Sequence, residues 1–328
     1  MAFGDTSAPA RFLGGQVGVT NRELALDIFG GEVLTAFDLS VQFPDKVFSR
    51  TLSGGLKSAR FPKVWKATGE YHTPGQELLG NDIDTGEVTV TVDDILVAHV
   101  AISDLDDILS HFDVRSQFST ELGRALARIY DKNIARSLIL AARTAAAGPF
   151  PGGLSQIDSE CTNSGVIDGN AWISRIRLCN AAMFANDIPE SAPRYLAVNY
   201  AVFDAIKYAK DSNGAYLVLN RDFSHPGAGG VQGRAETMEI DGVTIIKTRN
   251  LPTTNETADN SVYTKYRANY STTTGIFWSP MAAATLKLMD VQLEKTRDVR
   301  RLEDFMVAKM LVGHGTLRPE CAIEIKTA

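Results

Sequence analysis

The most regular hydrophobic pattern of the chain lies between Asp104 and Ala147. Apolar residues recur in it at helical spacing: Leu122, Ala125, Leu126, Ile129, Ile134, Leu138 and Ala142. A shorter stripe from Leu105 to Phe112 is out of phase with them. The pattern predicts a short helix, a break with Asp113 as N-cap, and a long helix from Val114 to about Ala147. At 1.5 Å per residue the long helix would span roughly 50 Å, which slightly favours a structural strut over a catalytic domain.

A second pattern, between residues 52 and 92, excludes a helix because it contains six glycines and two prolines. Two strand-like segments, Ala59–Ala67 and Glu87–Val92, flank turn-forming sequences and predict a long hairpin with an irregular tip. A two-stranded hairpin is marginally stable alone in water. This one is expected to expose four large side chains: Phe61, Val64, Trp65 and Tyr71. We therefore expect a partner to cover it.

The charges of this hairpin are sorted by sign. The outgoing segment carries only bases: Lys57, Arg60, Lys63 and Lys66. The return carries only acids: Glu77, Asp82, Asp84, Glu87, Asp93 and Asp94. Pairing across the hairpin explains this arrangement simply, and we favour it somewhat. The alternative is that the hairpin lies across a neighbouring subunit, with some charges paired between chains.

The remaining segments mix helices and strands. A strand is predicted from Val92 to Ile102. Asn170 to Arg249 alternates between both states and indicates an α/β lobe, with helices at Asn170–Asn186 and Tyr200–Lys210, strands at Arg194–Val198 and Ala215–Leu219, and a hairpin at Glu236–Ile246. Two irregular loops, Arg221–Gly233 and Pro252–Thr274, interrupt this order and are expected to be functional or disordered. Further strands are predicted at Gly275–Trp278, Ala284–Leu288, Met306–Val312 and Ala322–Lys326.

Composition narrows the function. The 328 residues carry a net charge of −6, which argues against a dedicated nucleic-acid binder. Three cysteines lack disulfide or zinc spacing, so free thiols are expected. No signal peptide or membrane-length apolar run is evident.

The search for catalytic patterns finds little. The five histidines have no metal-ligand spacing, and no nucleophile elbow is present. The glycine-rich segment Gly227–Gly233 fits neither a P-loop nor a dinucleotide fingerprint, so we interpret it as a surface loop. The charged run from Glu294 to Asp304 mixes both signs and indicates a salt-bridged face.

Three blocks carry a resemblance to a known family: Ile28–Phe37 (IFGGEVLTAF), His111–Ser116 (HFDVRS) and Gly313–Glu320 (GHGTLRPE). In order and spacing they resemble the major capsid protein of short-tailed double-stranded DNA phages of the autographivirus group. The resemblance covers nearly the whole chain and is weakest between Gly148 and Gly275.

The resemblance implies an α+β chain with the Hong Kong 97-like capsid fold. It divides the chain into a series of parts: an N-terminal arm (1–48), an extended loop (49–92), a peripheral domain with the spine helix 114–147 (93–167), an axial domain (168–274) and peripheral return strands (275–328). The partner expected to cover the hairpin is then another copy of the chain.

The implied function is a non-enzymatic shell subunit in the virion, without a cofactor. Copies would form hexamers and pentamers around the packaged DNA, which they would hold without sequence-specific binding. A scaffolding protein, a portal at one vertex and a possible decoration protein are the implied partners; no membrane is involved. Candidate inter-subunit contacts are Lys57, Arg60, Lys63, Trp65, Lys66, Glu77, Asp82, Asp84, Glu87, Arg297, Arg300 and Arg301.

The chain departs from the family namesake at one point. That protein joins its subunits by a Lys–Asn isopeptide bond, whereas Thr285–Ala328 contains no asparagine, so we expect no such crosslink. Two other classes stay open at this stage. One is a nanocompartment (encapsulin-like) shell with a protein cargo, and the other is a soluble α/β enzyme with a site in the lobe of Asn170–Arg249.

Overall fold

The structure is a computed structural model. It describes residues 32–37, 41–53, 55–67, 69, 71–72, 75, 77, 80, 82–103, 114–157, 162–163, 166–210 and 238–327. Several predictions lie outside these residues: most of the arm, the short helix before Asp113, the strand Ala215–Leu219 and the loop Arg221–Gly233.

The described residues contain both helices and strands, as predicted for an α+β chain. The helices are α1 (32–37), α2 (Val114–Arg143), α3 (Gly169–Ala185) and α4 (Tyr200–Lys207). The strands are β1 (Phe48–Thr51), β2 (Ser58–Val64), β3 (Thr85–Thr91), β4 (Leu96–Ser103), β5 (Leu154–Ile157), β6 (Thr162–Asn163), β7 (Val166–Ile167), β8 (Arg194–Val198), β9 (Met238–Ile240), β10 (Val243–Lys247), β11 (Thr273–Trp278), β12 (Ala283–Asp298), β13 (Glu303–Thr316) and β14 (Ala322–Lys326).

The long helix exists but is shorter than predicted. It ends at Arg143, because the amide of Thr144 bonds to the carbonyl of Ala141 and the chain then turns back on the last helical turn. Gly153 lies so close to this turn that a Cβ there would be 2.3 Å from the oxygen of Ala141. This reversal brings β5 into a sheet beside β14.

The chain divides into two compact units, and α2, β12 and β13 have a part in each. The first comprises the described parts of Met1–Val41, Leu96–Arg128 and Val291–Met310. In it β4 pairs antiparallel with the first half of β13, from Glu303↔Ser103 to Met310↔Leu96. Helix α1 packs so closely on α2 that a Cβ at Gly123 would be 2.5 Å from the oxygen of Val33.

The second unit contains a six-stranded sheet in the order β5-β14-β11-β8-β10-β9. Helices α3 and α4 and the hairpin β9–β10 confirm the predicted lobe, and Asp168 and Asn199 cap the two helices. The sheet extends beyond the lobe, because β11 pairs with both β8 and β14. Buried aromatic residues of this unit include Trp172, Phe277 and Trp278.

Three strand predictions were wrong in extent. Strands β12 and β13 extend into the charged run 294–304, which was predicted to lie between shorter strands, and only residues 299–302 form the turn between them. The alternation in burial along β13 shows why: Met306, Ala308 and Met310 face inward in register with the buried Asp304, so the strand continues into the charged run. Strand β4 begins at Leu96 and not at Val92, since residues 92–95 form the corner between β3 and β4.

The loop Pro252–Thr274, expected to be functional or disordered, is ordered and partly buried. Its Tyr266 and Tyr270 are 1% and 0% exposed. Glu256 forms a buried bidentate pair with Arg136 of α2, at 2.8 and 3.0 Å. This loop is therefore a packing element of the second unit.

Candidate inter-subunit surface

The base of the extended loop is packed on the chain itself. Strands β2 and β3 pair antiparallel, from Ser58↔Thr91 to Val64↔Thr85. One face of this hairpin joins a buried cluster with β12 and the segment after β13: Leu52, Ala59, Phe61, Val90, Val92, Ala284, Leu286 and Leu317. The sequence-based expectation of an uncovered hairpin was therefore wrong for its base.

Two of the four side chains predicted to be exposed are covered within the chain. Phe61 is only 8% exposed, because the alternation of β2 turns it toward β12. Trp65 packs edge-on against Phe150, with ring centroids 5.8 Å apart. Val64 and Tyr71 are exposed as predicted, at 57% and 104%. Val64 and Tyr71 are therefore the two of these four side chains that lack cover, and Leu56 before β2 is also 56% exposed.

Glycines in the block GHGTLRPE allow β3 to approach the end of β13. A Cβ at Gly313 would be 2.3 Å from the carbonyl oxygen of Thr91, and one at Gly315 would be 2.8 Å from Cγ1 of Val90. The amide of Asp93 donates to the carbonyl of Val312 at 3.1 Å. This part of the block thus fixes the position at which the extended loop leaves the body.

Polar groups reinforce this joint. The Tyr266 hydroxyl donates to Oδ2 of Asp93 at 2.6 Å, and Lys265 forms an ion pair with the same carboxylate. The His314 amide donates to the Tyr266 hydroxyl at 2.9 Å. Burial raises the pKa of Asp93, although Lys265 and Tyr266 oppose that shift by stabilising its charge.

His314 itself has a structural role. Its side chain lies within 3.0 Å of the Thr285 hydroxyl through Nδ1 and packs edge-on against Tyr130. Burial lowers the pKa of His314 to about 3, so the imidazole is neutral. Because only 1% of the residue is exposed, it cannot contact a substrate in this conformation.

Three of the four basic candidates of the loop contact groups of the same chain. Arg60 lies 3.6 Å from Glu87 on the neighbouring strand, which is the predicted cross-strand pairing. Lys66 pairs with Asp187. The ammonium group of Lys63 lies over the ring of Phe150, 5.7 Å from its centroid. These contacts account for part of the sorted charge pattern within one subunit.

The acidic candidates at the tip differ. Glu77, Asp82 and Asp84 are exposed, and so is Lys57 on the outgoing side. Among the residues that the structure describes, none of these four forms an ion pair. Their charges are therefore available for contacts with another chain.

The three arginine candidates lie at the end of the β12–β13 hairpin, in the first unit. Arg297 is 3.8 Å from Asp304, and Arg301 is 3.9 Å from Asp298. The amide of Arg300 donates to the Asp298 side chain at 2.9 Å. These pairs confirm a salt-bridged face, but they are long, and the side chain of Arg301 is 75% exposed. Such pairs contribute little stability in water.

Sequence reasoning missed the contacts that attach the loop 252–272 and the C-terminal strand to α2. Arg143 binds Glu324 through two hydrogen bonds of 2.7 and 2.6 Å, and Glu324 is fully buried. Arg136 and Arg143 lie seven residues apart and so share a face of α2. Two arginines on one side of a largely apolar helix were the signal for buried acidic partners.

The described residues contain no group of three or more His, Cys, Asp or Glu that could hold a metal ion. No helix among them is long and apolar enough to cross a membrane. Cys179 and Cys321 are free, as predicted, and both are buried, while Cys161 lies outside the described residues.

Comparison with known proteins agrees with the resemblance of the three blocks. Residues 60–326 match the family model described as Gp10A-like major capsid protein. The chain is 30% identical over 333 residues to the major capsid protein of Enterobacteria phage T3, covering 94% of this chain and 92% of that protein. It is also 30% identical over 314 residues to the major capsid protein of Escherichia phage T7, covering 91% of this chain and 90% of that protein.

The fold is similar to that of solved phage capsids. One is the capsid structure of the cyanophage P-SCSP1u, with a TM-score of 0.72, 34% identity and coverage of 88% of both chains. Of the three classes left open by the sequence, these findings support the phage capsid and exclude the enzyme. The chain belongs to the Gp10A-like family of major capsid proteins, which are structural subunits of phage capsid shells with the Hong Kong 97-like fold.

Proposed function

We propose that copies of this chain form hexamers and pentamers that close around double-stranded DNA, and that the extended loop, residues 49–92, lies on an adjacent subunit. The observation that carries the proposal is the contrast between the two ends of this loop. Its base is buried on its own chain, whereas its tip presents Tyr71 and acids that form no ion pair with any described residue. A fixed base with an uncovered tip is suited to reaching across a neighbour.

The partner surface that fits the tip chemically is the β12–β13 end of an adjacent copy. The tip carries Glu77, Asp82 and Asp84, and the β12–β13 end carries Arg297, Arg300 and Arg301. Arg301 lies 3.9 Å from Asp298 and its side chain is largely exposed, so exchanging that pair for a contact with a second chain costs little. Charge complementarity of this kind would also fix the register between neighbouring subunits.

The wider roles follow from the family resemblance. The parts would be the arm (1–48), the peripheral domain (93–167), the axial domain (168–274) and the return strands (275–328). Assembly in the host cytoplasm would use a scaffolding protein, with a portal at one vertex and a possible decoration protein. The net charge of −6 supports a container that holds DNA without sequence-specific binding, because a strongly basic wall would bind packed DNA tightly.

A charge-exchange experiment tests the contact. Asp82→Lys with Asp84→Lys, and separately Arg300→Glu with Arg301→Glu, should each reduce the yield of closed shells seen by negative-stain microscopy. Combining all four substitutions should restore that yield, since opposite charges again face each other. Glu87→Lys is the matched control, because Glu87 is paired within its own hairpin. Adding Arg300→Glu and Arg301→Glu to this variant should not restore the yield of closed shells. Failure of the fourfold variant to restore shells would contradict the contact.

A further inference from the structure

A groove lies beside the point where the extended loop leaves its hairpin. It has a volume of about 710 Å3, which is within the range of clefts that bind ligands or peptide segments. Its walls come from three parts of the second unit: the chain after β2, the turn after α3, and the two 3₁₀ turns Pro280–Ala282 and Pro319–Cys321. Exposed Val64 and Met281 give it an apolar side.

Two buried polar atoms in this wall lack partners among the described residues. They are Oε2 of Glu320 and Nδ2 of Asn186. Glu320 is only 7% exposed, and a buried carboxylate oxygen without a hydrogen bond costs free energy. Both residues line the groove beside its apolar surface, although the two atoms themselves are buried, so a bound segment would satisfy them once the Glu320 and Asn186 side chains turn toward it.

We propose that this groove binds the segment Arg11-Phe12-Leu13 from the N-terminal arm of a second copy of this chain. Arg11 would donate to the free oxygen of Glu320, a backbone carbonyl of the segment would accept from Asn186, and Phe12 and Leu13 would cover the apolar side. An arginine is a favourable donor to a buried carboxylate because it forms strong, directional hydrogen bonds.

The sequence of the arm selects this segment. Residues 1–31 contain two basic residues, Arg11 and Arg22, and only Arg11 is followed by two large apolar residues. Gly14 and Gly15 follow directly and let the backbone approach a wall closely. The chain between Arg11 and Glu32 extends to at most about 70 Å, which is long enough to reach a neighbouring subunit in a shell.

Mixed shells test the contact between copies. The three native cysteines, Cys161, Cys179 and Cys321, are first replaced by alanine in every chain, because Cys321 itself lines the groove. Chains with Leu13→Cys are then assembled together with chains carrying Met281→Cys, oxidised, and run on a denaturing gel without reductant. Such single-cysteine chains can join the two positions only between copies. We expect a crosslinked dimer at least ten times more abundant than in shells that mix Leu13→Cys with Leu178→Cys. Leu178 is 52% exposed but lies outside the groove.

A second measurement tests the charge pairing. Arg11→Glu should lower the temperature at which assembled shells dissociate, and the matched Arg22→Glu should lower it less. Equal crosslinking at positions 281 and 178 in shells that microscopy shows to be closed would overturn the proposal. The proposal would also be overturned if the crosslink formed only within single chains that carry both Leu13→Cys and Met281→Cys, since the arm would then bind the groove of its own chain. If closed shells form in either of these cases, only the proposed groove contact fails, and the function as a shell subunit is still supported.

Discussion

The replacement of Phe61 by alanine tests whether the base of the extended loop belongs to its own subunit. The Phe61 ring is 8% exposed and lies in the cluster formed by β2, β3 and β12. Phe48 packs edge-on against it at 5.8 Å, and Arg50 lies over its face. All of these contacts are made within one chain. The substitution should therefore destabilise a single subunit before any assembly takes place.

The expected loss follows from the cavity that the ring would leave. Truncating a buried phenylalanine to alanine typically costs about 3–5 kcal/mol. With an unfolding entropy of about 2.1 cal/mol/K per residue, a loss of about 4 kcal/mol lowers the melting temperature of a chain of this length by about 6 °C. Circular dichroism of unassembled subunits, kept too dilute to form shells, measures this change.

Val64→Ala is the matched control on the same strand. Val64 is 57% exposed, so its truncation should change the melting temperature of the unassembled subunit by less than about 1 °C. If Phe61→Ala left the unassembled subunit unchanged and destabilised only assembled shells, a neighbouring chain would be covering Phe61. That result would refute the argument that the base of the loop is an intrachain structure.

Two further substitutions probe the same unit. Gly313→Ala would place a Cβ 2.3 Å from the oxygen of Thr91. It should lower the free energy of unfolding by about 1–3 kcal/mol and speed hydrogen exchange in β3. The control Gly69→Ala, whose Cβ would have nothing within 4 Å, should have neither effect. Burial raises the pKa of Asp131 to about 6, against hydrogen bonds from Gln42, Asn250 and Phe43. The pKa of this carboxyl is higher in the folded protein than in the unfolded chain, where it is near 4. Its contribution to the free energy of unfolding is therefore greatest below pH 4 and is lost as the pH rises through about 6. Between pH 4 and 7 the free energy of unfolding of Asp131→Asn, obtained from melting curves, should therefore rise relative to that of the wild type by on the order of 2–3 kcal/mol. A difference between the two proteins that does not change with pH would contradict this.

The sequence predicted well those elements whose patterns are local. Helix α3 and strand β8 match their predicted ranges to within one residue, because caps and apolar spacing define their ends. The long helix was also clear from its period. Its end at Arg143 was not, since three alanines, residues 145–147, are good helix formers and only the return of the chain at Gly152 and Gly153 excludes them from the helix.

Burial was harder to predict than secondary structure. Phe61 was assigned to an exposed hairpin because nothing local to β2 shows that Leu286 and Leu317 cover it. The loop 252–272 contains many polar residues, yet Tyr266 and Tyr270 anchor it in the core. Both errors have the same origin: the covering residues are more than a hundred positions away, or are themselves in irregular structure.

The block Gly313–Glu320 shows what a family resemblance can mean physically when no catalytic pattern is present. Gly313 and Gly315 admit β3, while Leu317 joins the cluster under the extended loop. These residues carry no reactive chemistry; they set the place and direction in which a long loop leaves the body. A shell subunit needs that direction fixed, because a small angular error at the base becomes a large displacement at the tip. The side chains at the tip can then determine which neighbour is bound and how strongly.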